Sequence, residues 1–457
     1  MTDFSENRAY AFMRKLSFVR PSGSAEEARA AEMIAAELRT AGLEPRIEVF
    51  PTWTYEEEPC RVEVLAPYRT TIEAAPVGLS GVTPPEGVTG ELVFVETGEE
   101  EFLDGVEGKI ALRYGLGGAK KYEAMAKAMA KAVICIGEPG KDLLHLSVWD
   151  NHFKRFGKMP SVFLRYEDAL KMLREGAREV TVVCRQREIE GQSRNVVVEI
   201  PGTGRRGGAA EPAASGSSSE ARNDSPGGPG DEVILLCGHF DTVPGVTGAH
   251  DNAAGSAILV ELARLVAARP ARRTVRLVWF GAEELGLYGS QIYVRENEKA
   301  LDRVKLVINV DVAGGTIGRN ECMVTGPESL KAYMEALGKE IGLGLTTRLG
   351  IMSSDSIPFA HKGVPSVNLA RGGGVTTSLH TPADSIEHTD AYHLGMLGRF
   401  VEVLLDRAAN AKAYPFERDI PESVRKDIAK YREESMGLEK ETVAEANVPE
   451  RERPDGH

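Results

Sequence analysis

Apolar and polar positions alternate with two periods along this chain. Residues 24–41 place apolar side chains, Ile34 and Leu38 among them, at three- and four-residue spacing behind Ser24, which predicts a capped amphipathic helix. From residue 233 onward, apolar runs of strand length alternate with helical segments. This alternation predicts an α/β domain with a mostly parallel central sheet and helices on both faces.

A different pattern interrupts this domain between residues 62 and 189. Short β-type runs such as RVEVLA, ELVFVET and EVTVVCR follow one another there, separated by Gly, Pro and acidic turns. This pattern predicts an inserted β-rich domain. The α/β domain is then made of residues 1–61 and 190–412.

Two segments have no apolar period. Residues 202–230 are dominated by Gly, Ala, Ser and Pro, which predicts a flexible loop inside the α/β domain. Because strands are predicted on both sides of it, we interpret it as an expanded hairpin connection. Residues 413–457 are rich in charge and poor in apolar anchors, which predicts a surface helix that continues into a polar C-terminal tail.

Composition narrows the class of protein. The 457 residues include 55 Lys and Arg against 68 Asp and Glu, a net charge of -13, which disfavours nucleic acid and anionic membranes as partners. No apolar run is long enough to span a bilayer, and no secretory signal is visible. We therefore expect a cytoplasmic protein. Five widely spaced cysteines, an odd number, indicate reduced core thiols rather than a disulfide framework or a Cys-based metal site.

Histidines and carboxylates follow predicted strands or precede predicted helices in five segments. In EVILLCGHFDT, His239 ends a buried strand, and Asp241 can hold one ring nitrogen of the imidazole while the other faces a metal. The further candidates are Asp251 ahead of a helix, Glu283 and Glu284 after a strand, Asp311 at the end of a strand, and His380 in a loop.

Each of these segments has a structural alternative, such as helix capping by Asp251. Together they place two histidines and several carboxylates at the carboxyl ends of neighbouring parallel strands, where open α/β sheets carry their sites. The adjacent carboxylates of Glu283 and Glu284 repel each other unless a cation or a proton lies between them. Nitrogen and oxygen ligands in this number predict a paired metal site suited to hydrolysis.

The motifs GHFDT, DNAAGSAILVELARLV, VRLVWFGAEELGLYGSQIYV, INVDVAGG and LHTPADSIEH occur in this order and resemble the co-catalytic di-zinc aminopeptidases. This family includes bacterial leucyl aminopeptidases and aminopeptidase Y, with glutamate carboxypeptidase II and the transferrin receptor as relatives. The resemblance implies two zinc ions, with cobalt or manganese as other possible metals. It assigns Asp251 as the bridge, His239 and Asp311 to one metal, Glu284 and His380 to the other, and Glu283 as general base.

The inserted domain resembles a protease-associated domain. The whole resemblance implies a metal-dependent exopeptidase acting on peptides, with an aminopeptidase favoured because only 26 residues separate Glu284 from Asp311. The alternatives are a carboxypeptidase or dipeptidase, an acylamino acid deacylase, a single-zinc glutaminyl cyclase and a non-catalytic, receptor-like binding protein.

Two residues near the motifs have open roles, and the oligomeric state is also open. Asp355 either lines the site or caps a turn, and Arg371 either anchors a substrate carboxylate or is a solvated loop residue. The other histidines, His145 and His250 among them, are interpreted as surface or core residues.

Overall fold

A computed structural model describes residues 3–204, 228–373 and 379–438. Most of the predicted loop 202–230 and the end of the predicted tail 413–457 lie outside the described residues. Every helix in the described ranges is too short or too polar to cross a membrane.

Eleven helices and fifteen strands make up the described chain. The helices are α1 (Glu6–Leu16), α2 (Ala25–Thr40), α3 (Ala119–Lys127), α4 (Asp150–Phe156), α5 (Tyr166–Arg174), α6 (Ala254–Ala268), α7 (Tyr288–Glu296), α8 (Glu328–Ile341), α9 (Ser356–His361), α10 (Ala391–Asn410) and α11 (Glu422–Glu434). The strands are β1 (Arg46–Glu57), β2 (Cys60–Ala66), β3 (Thr70–Pro76), β4 (Val88–Phe94), β5 (Ile110–Tyr114), β6 (Ala132–Ile136), β7 (Ser161–Leu164), β8 (Glu179–Val183), β9 (Gln186–Ile200), β10 (Val233–His239), β11 (Thr274–Phe280), β12 (Val304–Val310), β13 (Arg319–Thr325), β14 (Leu345–Leu349) and β15 (Ser366–Gly372).

The larger sheet has eight strands in the order β1-β9-β11-β10-β12-β15-β13-β14. Its centre, β11-β10-β12-β15, is parallel. Antiparallel pairs flank this centre, β9 with β11 on one side and β13 with β15 on the other. The predicted fold class, a mostly parallel α/β sheet, is confirmed.

Helices cover both faces of this sheet because its central strands are apolar on both sides. Alternate residues of β10 point to opposite faces. Ile234 and Leu236 pack into a core with α1, α2, α6, α8 and α10. Val233 and Leu235 pack on the other face with Tyr293 of α7 and Phe359 of α9.

The β-rich segment forms a closed barrel in the order β2-β3-β7-β6-β5-β4-β8. It is joined to the large sheet by β1 and β9, which pair with each other along their whole common length. An apolar cluster that includes Tyr55 and Leu143 on the barrel side reaches Ala282 and Leu285, which follow β11. The barrel therefore packs against the carboxyl end of the large sheet.

One prediction about the connecting segments is wrong. Residues 202–230 do not connect a hairpin, because β11 lies between β9 and β10 in the sheet. The surface helix predicted within residues 413–457 is present as α11, in which Val424 and Ile428 are buried with Ile420 against Ala360 of α9. Four-residue spacing of these apolar side chains gives α11 one buried face despite its high charge.

Candidate metal centre

Three parallel strands deliver candidate ligands to one edge of the sheet. His239 is the last residue of β10, Glu283 and Glu284 follow β11, and Asp311 follows β12. Because β10 pairs in parallel with both β11 and β12, the carboxyl ends of all three strands lie together. His239 lies at the middle of this edge.

Asp251 approaches the same edge from an irregular turn, Ala249–Ala253, which precedes α6. The carboxylate of Asp384 accepts hydrogen bonds from the backbone N–H groups of His250, at 2.8 Å, and Asp251, at 3.2 Å. Both oxygens of Asp384 are thereby used to hold the turn. Asp384 thus orients the turn that carries Asp251.

The two carboxylate oxygens of Asp251 face two different histidines. Its Oδ1 lies 2.8 Å from Nε2 of His239, and its Oδ2 lies 3.3 Å from Nε2 of His380. His239 Nε2 is also 3.3 Å from Oδ1 of Asp311. On the other side, His380 Nε2 is 3.1 Å from Oε2 of Glu284. The structure therefore brings the five predicted ligands into two groups that share Asp251.

Each group has the dimensions of a metal site. Within each group, the ligand atoms lie within 4.8 Å of one another. One group is His239, Asp251 and Asp311, and the other is Asp251, Glu284 and His380. Glu283 lies within the same limit of His239 and Glu284, which places the predicted general base beside both groups.

Asp241 connects His239 with the segment that carries the two glutamates. Its Oδ1 and Oδ2 accept hydrogen bonds from the backbone N–H groups of Glu283, at 3.1 Å, and Glu284, at 3.2 Å. Its Oδ1 also lies 3.5 Å from Nδ1 of His239. One buried carboxylate thus binds the backbone of both glutamates and lies beside the imidazole of His239.

The charges of this centre are unbalanced. Burial raises the pKa of Glu283 well above its usual range, and the neighbouring carboxylate of Glu284 adds to this effect. Burial alone would lower the pKa of His239, but Asp311 and Glu283 outweigh it and raise that pKa. For Asp251, burial is outweighed by hydrogen bonds from His239 and His380, which lower the pKa of the carboxyl.

The donor set fits divalent cations. It consists of carboxylate oxygens and imidazole nitrogens, the ligands that zinc takes in catalytic sites. Oδ1 of Asp311 is buried and accepts no hydrogen bond from the described part of the chain. A buried carboxylate oxygen without a donor is costly unless a cation binds it. The residues present therefore suit two metal ions that share Asp251.

The N-terminal segment supports this centre through Arg20. Arg20 is fully buried, and its guanidinium donates to the carbonyl oxygens of Phe240, Thr247 (2.6 Å) and Gly248 (3.0 Å). These residues connect His239 with Asp251. In the sequence, Arg20 stands out only as an Arg before the Pro-Ser-Gly-Ser turn. This position does not indicate which loop its guanidinium contacts.

The two open roles are resolved by their contacts. Asp355 is 1% exposed and makes no capping hydrogen bond to α9; burial raises its pKa to about 7 beside the charges of the centre. It therefore lines the site. Arg371 donates to Oδ1 of Asn320 and to the carbonyl oxygens of Gly315 and Thr316. The interpretation of Arg371 as a solvated loop residue is wrong, because its side chain is buried and each of its three nitrogens donates inside the protein.

Fold and donor set together define a metal-dependent hydrolase of the α/β class. Residues 222–405 match the model of peptidase family M28. Aminopeptidase YwaD of Bacillus subtilis is 27% identical over 431 residues, which cover 90% of this chain and 87% of that relative. Carboxypeptidase Q of Bos taurus is 27% identical over 357 residues, covering 72% of this chain and 70% of that protein.

A solved structure extends the similarity to the whole fold. The crystal structure of BSAP, a zinc aminopeptidase from Bacillus subtilis, superposes with a TM-score of 0.68 at 25% sequence identity. The match covers 93% of this chain and 100% of that one. The protein is accordingly a metallopeptidase that acts on peptides, and its similarity includes the barrel as well as the α/β domain.

Proposed function

We propose that this chain is an aminopeptidase that uses two zinc ions to remove N-terminal residues from peptides. The observation that carries this proposal is the placement of Asp251, whose two oxygens face separate histidines in separate ligand groups. One ion would be held by His239, Asp251 and Asp311, and the other by Asp251, Glu284 and His380.

The chemistry divides between the metals and the protein. When bound, zinc ions polarise the scissile carbonyl and lower the pKa of an attacking water. Glu283 accepts the proton of that water at its carboxylate and transfers it to the departing amine. Its position beside the two ligand groups suits this role. Asp241 holds the backbone of Glu283 through a hydrogen bond, and its carboxylate lies 3.5 Å from Nδ1 of His239.

The domain assignment is part of the same proposal. Residues 1–61 and 190–412 form the catalytic domain, and residues 62–189 form a protease-associated-like insertion that carries no metal ligand. Observed strand pairing is consistent with this division, since β2 to β8 pair only with one another in the described chain.

A panel of aminoacyl-nitroanilides and matched N-acetylated and C-terminally blocked peptides tests the function. We expect release of the N-terminal residue from free-amine substrates, no cleavage of acetylated ones, and two zinc ions per chain by elemental analysis. Release of C-terminal residues from N-blocked peptides would show a carboxypeptidase, the activity that the name of the Bos taurus relative describes. One metal per chain would contradict the paired site.

A further inference from the structure

All five cysteines are buried and carry free thiols, but their positions set one pair apart from the rest. Cys60 and Cys184 belong to the same apolar cluster of the barrel. The other three lie in three different clusters, Cys135 in the barrel and Cys237 and Cys322 on opposite faces of the large sheet. Cys60 and Cys184 are therefore the pair that could be linked covalently.

Strand register places these two cysteines opposite each other. β2 and β8 are antiparallel neighbours in the barrel, with Arg61 opposite Val183. Cys60 is the first residue of β2, and Cys184 directly follows β8. One step beyond the pair of Arg61 and Val183, Cys60 therefore faces Cys184, and both side chains point to the same core.

The backbone of Cys184 forms hydrogen bonds with Thr83 rather than with Cys60. Its N–H donates to the hydroxyl of Thr83 at 3.1 Å, and its carbonyl oxygen accepts from the N–H of Thr83 at 3.0 Å. This arrangement is that of a non-hydrogen-bonded antiparallel pair, whose Cα atoms are about 4.5 Å apart. Disulfides join Cα atoms over roughly 4.4–6.8 Å, so the backbone suits a bond between the two sulfurs.

The sulfur of Cys60 lies against the backbone of the opposite strand. It accepts a hydrogen bond from the N–H of Arg185 at 3.1 Å, and this nitrogen is bonded directly to the carbonyl carbon of Cys184. The thiol of Cys184 also donates to this sulfur, and the two hydrogen bonds outweigh burial and lower the pKa of Cys60. The same contact between the thiols, together with burial, raises the pKa of Cys184. Cys60 therefore ionises first.

The pair lies where the chain enters and leaves the barrel. β1 reaches the barrel from the large sheet and ends at Glu57, just before Cys60. β9 returns to the large sheet and begins at Gln186, just after Cys184. A bond between Cys60 and Cys184 would therefore close a loop that contains all the barrel strands, from β2 to β8.

We propose that Cys60 and Cys184 are a disulfide-forming pair, oxidised by a low-molecular-weight disulfide, that fastens the two ends of the inserted barrel. The thiolate of Cys60, which is 5% exposed against 0% for Cys184, attacks one sulfur of the small disulfide and releases one small thiol. Cys184 then gives up its proton, and its sulfur attacks that of Cys60 and releases the second small thiol. Two protein thiols are oxidised as one small disulfide is reduced to two thiols. This modification is independent of the proposed aminopeptidase function.

The test treats the full-length protein with oxidised glutathione, in one sample while folded and in another during refolding from urea. Intact mass and melting temperature are measured without reductant, and disulfide-linked peptides are identified after proteolysis. Cys60→Ala and Cys184→Ala are compared with the wild type. Cys135→Ala is the matched control, because Cys135 is also a buried cysteine of the barrel but lies outside the pair.

We expect the wild type and Cys135→Ala to lose two hydrogen atoms, with Cys60 and Cys184 recovered in one linked pair of peptides. A phosphine reductant should restore the original mass. Oxidation should raise the melting temperature of these two proteins by about 5 °C, because the bond restricts the unfolded chain. Cys60→Ala and Cys184→Ala should show neither the loss of mass nor the rise in melting temperature.

Three results would overturn the proposal. The first is a wild type that keeps both hydrogen atoms in the folded and in the refolded sample. The second is a disulfide that involves Cys135, Cys237 or Cys322. The third is a bond between Cys60 and Cys184 that leaves the melting temperature unchanged, which would show that it does not fasten the ends of the barrel.

Discussion

The hydroxyl of Ser22 donates a 2.7 Å hydrogen bond to Oδ2 of Asp241. Both side chains are buried, at 2% and 0% exposure. Asp241 also accepts the backbone N–H groups of Glu283 and Glu284. The alignment of the two glutamates thus depends on a residue of the N-terminal segment, far from them in sequence and outside the part of the chain that matches the peptidase family.

Replacing Ser22 with Ala should weaken both metal binding and turnover. Removing a partner that orients a ligand's neighbour typically costs ten- to a hundredfold in affinity or activity, so we expect kcat/KM to fall at least about tenfold. The free energy of unfolding should fall by only about 1 kcal/mol, the value of one hydrogen bond. Zinc titration, steady-state kinetics and urea unfolding measure the three effects.

Ser80→Ala is the matched control for this variant. Ser80 is a fully buried serine of the barrel whose hydroxyl donates to the carbonyl oxygen of Ser161. We expect a similar loss of stability with normal zinc affinity and activity. Equal activity losses in both variants would show that stability, and not the orientation of Asp241, is the cause.

Removing the shared carboxylate should have a larger effect on metal content than removing a ligand of one group. Asp251→Ala deletes both oxygens that face the two histidines, and we expect it to retain close to no zinc after gel filtration. Asp311→Ala affects only the group of His239 and should retain about one zinc ion per chain. Elemental analysis measures the zinc content of both variants. Tight retention of one zinc ion by Asp251→Ala would contradict a bridging role for Asp251.

Glu283 and Glu284 are adjacent, yet their amide variants should differ. Glu283→Gln removes the proposed base but no ligand, so zinc content and fold should persist while kcat falls about 10²- to 10⁴-fold. Glu284→Gln weakens the ligand group that contains His380. We therefore expect this variant to contain less zinc than Glu283→Gln. Wild-type turnover by Glu283→Gln would disprove its assignment as the base.

Three of the five proposed ligands were predictable because each lies at or just after the end of a strand. Apolar runs predict where β10, β11 and β12 end, and parallel pairing then brings His239, Glu284 and Asp311 together without further information. The order of the strands in the sheet could not be predicted from the sequence. Nothing in the sequence of residues 202–230 indicates that β11 is inserted between β9 and β10, since neighbouring strands along a chain more often pair directly.

The supporting contacts could not be predicted because they connect segments remote in sequence. Ser22 with Asp241, Glu57 with His145, and His145 with His380 each join two domains or two ends of a domain. A polar residue in such a contact has no periodic pattern around it. The same reasoning explains Arg371, whose partners on neighbouring segments exist only once the chain is folded.

Glu27 is a buried carboxyl group that accepts no hydrogen bond from a cationic side chain in the described part of the protein. It lies on α2 with 0% exposure and accepts hydrogen bonds from the N–H of Gly23, at 2.7 Å, and from the hydroxyl of Ser193. Burial raises its pKa to about 8, and the negative charge of Asp241 contributes. The folded protein therefore holds a proton on Glu27 at a pH where the unfolded chain has released it.

This proton makes stability fall as pH rises. Between the unfolded pKa near 4.5 and the folded pKa of about 8, the folded state binds more protons than the unfolded state, so the free energy of unfolding decreases with pH. Glu27→Gln removes this dependence. Relative to the wild type, we expect the variant to gain stability on going from pH 5 to pH 8, by no more than about 1.4 kcal/mol per pH unit.

Urea unfolding of both proteins at pH 5, 6.5 and 8 measures this difference, with Glu261→Gln as the control. Glu261 is also buried, but Arg8 and Arg264 donate to it, and their bonds outweigh its burial and lower the pKa of its carboxyl. It is therefore ionised in the folded and unfolded states across this range, so its replacement should cost stability equally at all three values. A parallel response of the two variants to pH would show that Glu27 is ionised in the folded protein.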